Sequence, residues 1–188
     1  MNGSSMDKKQ ILYIHGGEAY SNYEHYLEHL RSVPINPFKE PSKRWTHTLR
    51  ETFGNDYEVF MPSMPSKHNA KYHEWKIWFE RHFEFLRDGV ILVGWSQGGY
   101  FFSKYISENK LPFDVLALVL LAAPFEPADF GGEDGGDFRF DPQNLHNILG
   151  QVEKTYILHS KDDFVVPYEH ALKYKETLPE AELITFDD

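Results

Sequence analysis

Cysteine is absent from the 188-residue chain, which excludes disulfides, a thiolate nucleophile and thiolate metal sites. No apolar run approaches the roughly 20 residues of a membrane span, and the first residues lack the hydrophobic segment of a signal peptide. Basic blocks are missing as well. With 19 Lys and Arg against 29 Asp and Glu, the formal net charge is −10. Neither nucleic acid nor an anionic membrane finds the basic face that it would need. Cytoplasm is the expected compartment. What the chain has in quantity is aromatic surface: 15 Phe, 11 Tyr and 4 Trp, enough for both a core and pocket walls. Its length suits a single domain over residues 1–188. Residues 1–9 read as a disordered tail, with Met6 as an alternative start.

The most informative stretch is residues 90–100. Val90, Ile91, Leu92 and Val93 form a short apolar run suited to a strand buried on both faces. Gly94-Trp95-Ser96-Gln97-Gly98 then matches G-x-S-x-G, and Tyr100, Phe101, Tyr105 and Ile106 follow at helical spacing. Strand, sharp turn and helix are the context of a nucleophile elbow. The turn lifts the Ser96 hydroxyl clear of the sheet, and Gly94 and Gly98 remove side chains that would collide at so tight a bend. The helix behind directs free N–H groups toward the place where an oxyanion would form. Trp95, beside the serine, is expected to pack in the core.

Other strands are expected at residues 10–14, 57–61, 115–122, 155–158 and 182–186. Helical spacing falls at Tyr23–Leu30, at Trp45, Leu49 and Phe53, along a long stretch from Tyr72 to Leu86, at Leu145–Leu149 and over 167–177. Alternating strands and helices imply an α/β fold: a six-stranded parallel sheet in a three-layer α/β/α sandwich. Right-handed crossovers favour the order 2-1-3-4-5-6, with reactive loops at the C-terminal ends of the strands.

A serine hydroxyl needs an acid–base chain, which in this fold type runs Ser, acid, His along the sequence. After the fifth strand, Asp163 fits an Asp-x-x-Val-Pro frame in a loop facing the elbow, with Asp162 as the fallback. The oxyanion donors are expected to be the backbone N–H of Gln97 and that of Gly17, with Glu18 as an alternative to Gly17. No cofactor and no metal are required. The acidic Glu133, Asp134 and Asp137 do not match the spacing of an EF-hand loop.

Tyr13-Ile14-His15-Gly16-Gly17, the elbow, and His159-Ser160-Lys161-Asp162-Asp163-Phe164-Val165-Val166-Pro167 together resemble an α/β-hydrolase. More narrowly the chain resembles the retinoblastoma-binding protein 9/YdeN-type serine hydrolases, with residues 31–45 looking like an insertion. The resemblance implies Ser96 as nucleophile, Asp163 as acid and a base histidine just after the last strand. Here residues 184–188 read Ile-Thr-Phe-Asp-Asp, so that histidine and a final covering helix are expected beyond Asp188. His170 lies too near the acid in sequence. His15 and His159 break the chain order, and His47, His68, His73 and His82 are expected on the surface or on helix faces.

The glycine- and acid-rich loop 124–141 opens over the active face. It reads either as a flexible lid whose Phe125, Phe130, Phe138 and Phe140 wall an acyl pocket, or as a solvated loop anchored by its aromatics. The expected function is hydrolysis of a small carboxylic ester or related acyl bond, with a small-molecule acyl substrate as partner. An acyl-protein thioesterase or phospholipase-type carboxylesterase is the second reading. A non-catalytic interaction protein on the same fold, with a protein partner, is the third.

Overall fold

The computed structural model describes residues 8–38, 46, 48–127 and 133–187. Residues 1–7 of the expected N-terminal tail, Trp45, His47, Phe130, Gly131 and Gly132 therefore lie outside the described residues, whereas Lys9, expected in that tail, opens the first strand. So do Asp188 and residues 39–45 of the expected insertion. Six strands form one sheet: β1 (Lys9–Ile14), β2 (Tyr57–Phe60), β3 (Val90–Trp95), β4 (Val115–Leu121), β5 (Val152–Ser160) and β6 (Glu182–Phe186). All neighbours are parallel, in the order 2-1-3-4-5-6. The helices are α1 (Tyr23–Ser32), α2 (Leu49–Phe53), α3 (Tyr72–Glu80), α4 (Gln97–Glu108) and α5 (Glu169–Thr177).

The two faces of the sheet differ. The face of Leu12, Ile14, Leu92, Leu118, Leu120 and Ile157 is sealed, each residue at most 1% exposed. Here α4 lies on β3 and β4, α3 leans on α4, and α5 covers β5 and β6. The opposite face carries Ile91, Val93, Val119, Leu121, Tyr156 and Leu158, all half-buried. Right-handed crossovers explain the asymmetry, because the chain moves one way from β1 to β2 and the other way from β3 onward. Among the described helices, α1 and α2 make the crossover on the second face, and α1 buries none of its residues. Among the described residues, no helix is long and apolar enough to cross a membrane.

Aromatic rings fill the sealed side. Phe79 meets Phe83 and Tyr105 edge-on with centroids 4.9 Å apart, and Phe101 and Phe102 at 5.4 and 5.5 Å. The long helix expected from Tyr72 to Leu86 is broken. After Glu80 the bonding tightens, with His82 N–H donating to Phe79 O, and a 3-10 turn (Phe83–Phe85) turns the chain toward β3. That turn lets Phe83 reach Phe113, 5.2 Å away.

Candidate active site

Ser96 sits between β3 and α4 with φ +50° and ψ −119°, a region that a residue with a side chain rarely enters. Two glycines make the bend feasible. A Cβ on Gly94 would lie 2.6 Å from the Gly98 carbonyl carbon, and one on Gly98 only 2.3 Å from Ile14 O. The Ser96 amide donates to Leu121 O at 2.8 Å, while its carbonyl accepts from the amides of Gly99 and Tyr100. The amides of Gln97 and Gly98 belong to the first turn of α4, where no intrahelical acceptor exists.

The serine lines a cavity of about 270 Å³ at the C-terminal ends of the strands. Gly16 and Gly17 from the β1 loop, Trp95 from the elbow and Val165 from the β5 loop share its wall. Trp95 thus edges the pocket instead of packing in the core as expected, because its position falls on the half-open face of β3. On Gly17 a Cβ would press within 2.8 Å of Lys67 O. The Glu18 amide already donates to that same carbonyl at 2.8 Å, so of the two expected oxyanion donors from this loop, Gly17 is the one with an amide to offer.

Asp163 lies at the base of the β5 loop, two residues before the cavity-lining Val165. Its Oδ1 accepts from the amides of Val165 and Val166 at 2.8 and 2.9 Å, and Oδ2 stands 3.8 Å from His159 Nε2. Asp162, the fallback, is exposed and accepts from Ser160 Oγ.

The described histidines have other duties. His15 is held at both ring nitrogens: Nε2 accepts from the Met64 amide at 2.9 Å, and Nδ1 is 2.6 Å from Gly16 O. His159 is 1% exposed and its Nε2 is 2.7 Å from Val166 O. That nitrogen therefore carries the proton and ties down the acid loop. Nδ1 is buried without a hydrogen-bond partner among the described residues. His170 Nδ1 accepts from the Phe125 amide at 2.9 Å, and burial lowers its pKa, keeping the ring neutral. His68 lies on the surface, as expected. It also borders the Ser96 cavity, with Nδ1 3.9 Å from Glu18 Oε2.

The loop after β4 matches the second expectation in its anchoring aromatics and departs from both in its acids. Phe138 is fully buried against Trp75, Tyr72 and Phe101, and Phe125 is buried beside Tyr174, so both belong to the core. The acids are fasteners. Asp134 accepts from the Ser21 amide at 2.9 Å and from the Ser21 hydroxyl, Asp137 accepts from the first amide of α3 at 2.9 Å, and Glu133 accepts from the Ala19 amide at 3.2 Å. No group of three or more potential metal ligands occurs among the described residues. Sequence reasoning missed Glu133, Lys67 and His68 at the cavity. They arrive on loops, where no periodicity betrays which side chains meet.

Solved structures share this architecture at low identity. The ydeN gene product of B. subtilis superposes with a TM-score of 0.73 at 17% identity, covering 96% of this chain and 86% of that one. The chain has the α/β-hydrolase fold. A thioesterase domain from the curacin biosynthetic pathway follows the same α/β-hydrolase path at TM-score 0.61 and 13% identity, over 98% and 86% of the two chains. Est1E from Butyrivibrio proteoclasticus does so at 0.57 and 15%, over 96% and 78%. No family model and no curated protein matches the sequence. Within the α/β-hydrolase fold, chemistry is then argued from the site itself.

Proposed function

We propose that the protein is a serine hydrolase that cleaves a small carboxylic ester or related acyl bond through an acyl-enzyme. The observation that carries this reading is the convergence, on one cavity, of a serine at φ +50° and the loop that holds Asp163. Ser96 Oγ attacks the acyl carbonyl and expels the leaving group. The amides of Gln97 and Gly17 hold the oxyanion, and they are worth most in a site closed to water. Asp163 has one oxygen fixed by two amides, and the other orients the imidazole that takes the serine proton. The acid loop is tied to the end of β6, where the Lys161 amide donates to Phe186 O at 3.0 Å. Water then releases the acid. The substrate is a small acyl compound met in the cytoplasm, and no cofactor takes part.

A fluorophosphonate probe tests the reading on the full-length protein. Labelling that vanishes in Ser96→Ala supports it, and failure to label at any pH points to a binding protein on the same fold. The structural likeness to a thioesterase domain favours thioester cleavage as the second reading. Rates along a series of p-nitrophenyl esters and matching acyl thioesters separate the two.

A further inference from the structure

Three acidic or basic side chains, Glu18, Lys67 and Glu133, border the Ser96 cavity together with the imidazole of His68. Glu18 already has company, with His29 and His68 each 3.9 Å from its Oε2. Lys67 and His68 are exposed, and water screens the Lys67 charge. Glu133 differs. It is half-buried, it receives one hydrogen bond, from the Ala19 amide at 3.2 Å, and among the described residues no Lys, Arg or His pairs with it. Burial, followed by the nearby charges of Glu18 and Asp134, pushes its pKa up to about 7. A carboxylate offers about four acceptor positions. Among the described residues one amide is its only hydrogen-bond donor and no cation pairs with it, in a wall shared with the candidate nucleophile.

We propose that Glu133 is a specificity-determining residue that selects acyl groups carrying a protonated amine a few bonds from the scissile carbonyl. The inference rests on the serine-hydrolase reading and adds the substrate class. An ammonium supplies both things that Glu133 lacks, donors and positive charge, and such charge-assisted bonds are roughly twice as strong as neutral ones. A hydroxyl supplies only a donor. Ser96 and Glu133 line the same cavity of about 270 Å³, so an acyl group held on Ser96 shares its space with the Glu133 carboxylate. Asp134 does not compete for the amine, because Ser21 and the Gly136 amide occupy its oxygens.

The test compares kcat/KM of the full-length protein on p-nitrophenyl esters of 3-aminopropanoic, 3-hydroxypropanoic and propanoic acids, each corrected for spontaneous hydrolysis. The amino ester is expected to lead the propanoyl ester by about tenfold or more, with the hydroxy ester close to the propanoyl one. In Glu133→Gln, which keeps an acceptor for the Ala19 amide, the lead shrinks to about twofold. In the unaltered protein the lead grows as pH rises through about 7, with the charges of Glu18, Asp134 and Lys67 and the ring of His68 as the facing groups. It fades once the amine loses its proton. Equal rates on all three esters, or a lead that survives Glu133→Gln, overturn the proposal. If the esters fail to discriminate while the fluorophosphonate still labels Ser96, the amine assignment alone falls. If Ser96 does not label, the hydrolase reading beneath it falls.

Discussion

Holding Ser96 at φ +50° costs about 1–3 kcal/mol in a non-glycine residue, and the contacts around it are what sustain the strain. Gly98 is the tightest of them. Gly98→Ala drives a methyl into Ile14 O, 2.3 Å from the ideal Cβ. The expected loss is about 1–3 kcal/mol, read as a fall of several degrees in the melting temperature together with slower fluorophosphonate labelling. A melting temperature unchanged within a degree contradicts the close approach of helix to strand. At Asp163 charge and shape separate cleanly. Asp163→Asn retains an oxygen for the amides of Val165 and Val166, so the fold persists, while the imidazole loses its anionic partner. Esterase kcat is expected to fall about 10³–10⁴-fold with KM little moved. A loss below tenfold argues that another carboxylate orients the base. The placement of Ser96 at a strand–helix bend was legible in the sequence because the elbow imposes glycine at fixed offsets, and that of Asp163 in the loop after β5 because proline and valine punctuate it. Glu133 was not, since its role depends on how a distant loop folds back over residues 19–21.

At the level of elements, the aromatic layer and the acidic fasteners divide the work. Phe79 meets rings of the 3-10 turn after α3 and of α4, so Phe79→Ala is expected to cost about 3–5 kcal/mol by chemical denaturation. An effect under about 1 kcal/mol is incompatible with that layer. The fastener at Asp134 joins the loop after β4 to the loop after β1. Asp134→Ala is expected to raise hydrogen exchange at the Ser21 amide at least tenfold while the amides of β3 stay protected. The elements themselves could be read from the sequence because apolar runs mark parallel strands and helical spacing marks α4. The 3-10 break after Glu80 could not, because Phe83 keeps the helical phase although its backbone has left the helix. The loop 124–141 left two readings open for a related reason. Phenylalanines and acids in a glycine-rich stretch carry no sign of which face the fold will bury.

Across the whole molecule, pH links stability to the cavity. Glu133 holds its proton up to about pH 7 when folded, against 4.5 for an unperturbed glutamate. Between those values the folded chain binds the proton that the unfolded chain has released, so this group makes stability fall as pH rises through the window. Glu133→Gln removes the effect, and its melting temperature is expected to gain on the unaltered protein from pH 4.5 to 7 and to level off above. His170 acts in the opposite sense. Its lowered pKa means that the unfolded chain takes up a proton first, so stability falls as pH drops below 6.5. The strand order was foreseeable from crossover handedness alone, and the placement of Ser96 and the Asp163 loop at the C-terminal ends of the strands followed from it. The unequal covering of the two faces was not, because each strand shows similar apolarity to both sides. The central claim is that Ser96 is an activated nucleophile, and its most direct test is peptide mapping of the full-length protein after fluorophosphonate treatment. One adduct, on Ser96, formed faster in the unaltered protein than in Asp163→Asn, is the predicted result; an unmodified Ser96, or modification indifferent to Asp163, contradicts it.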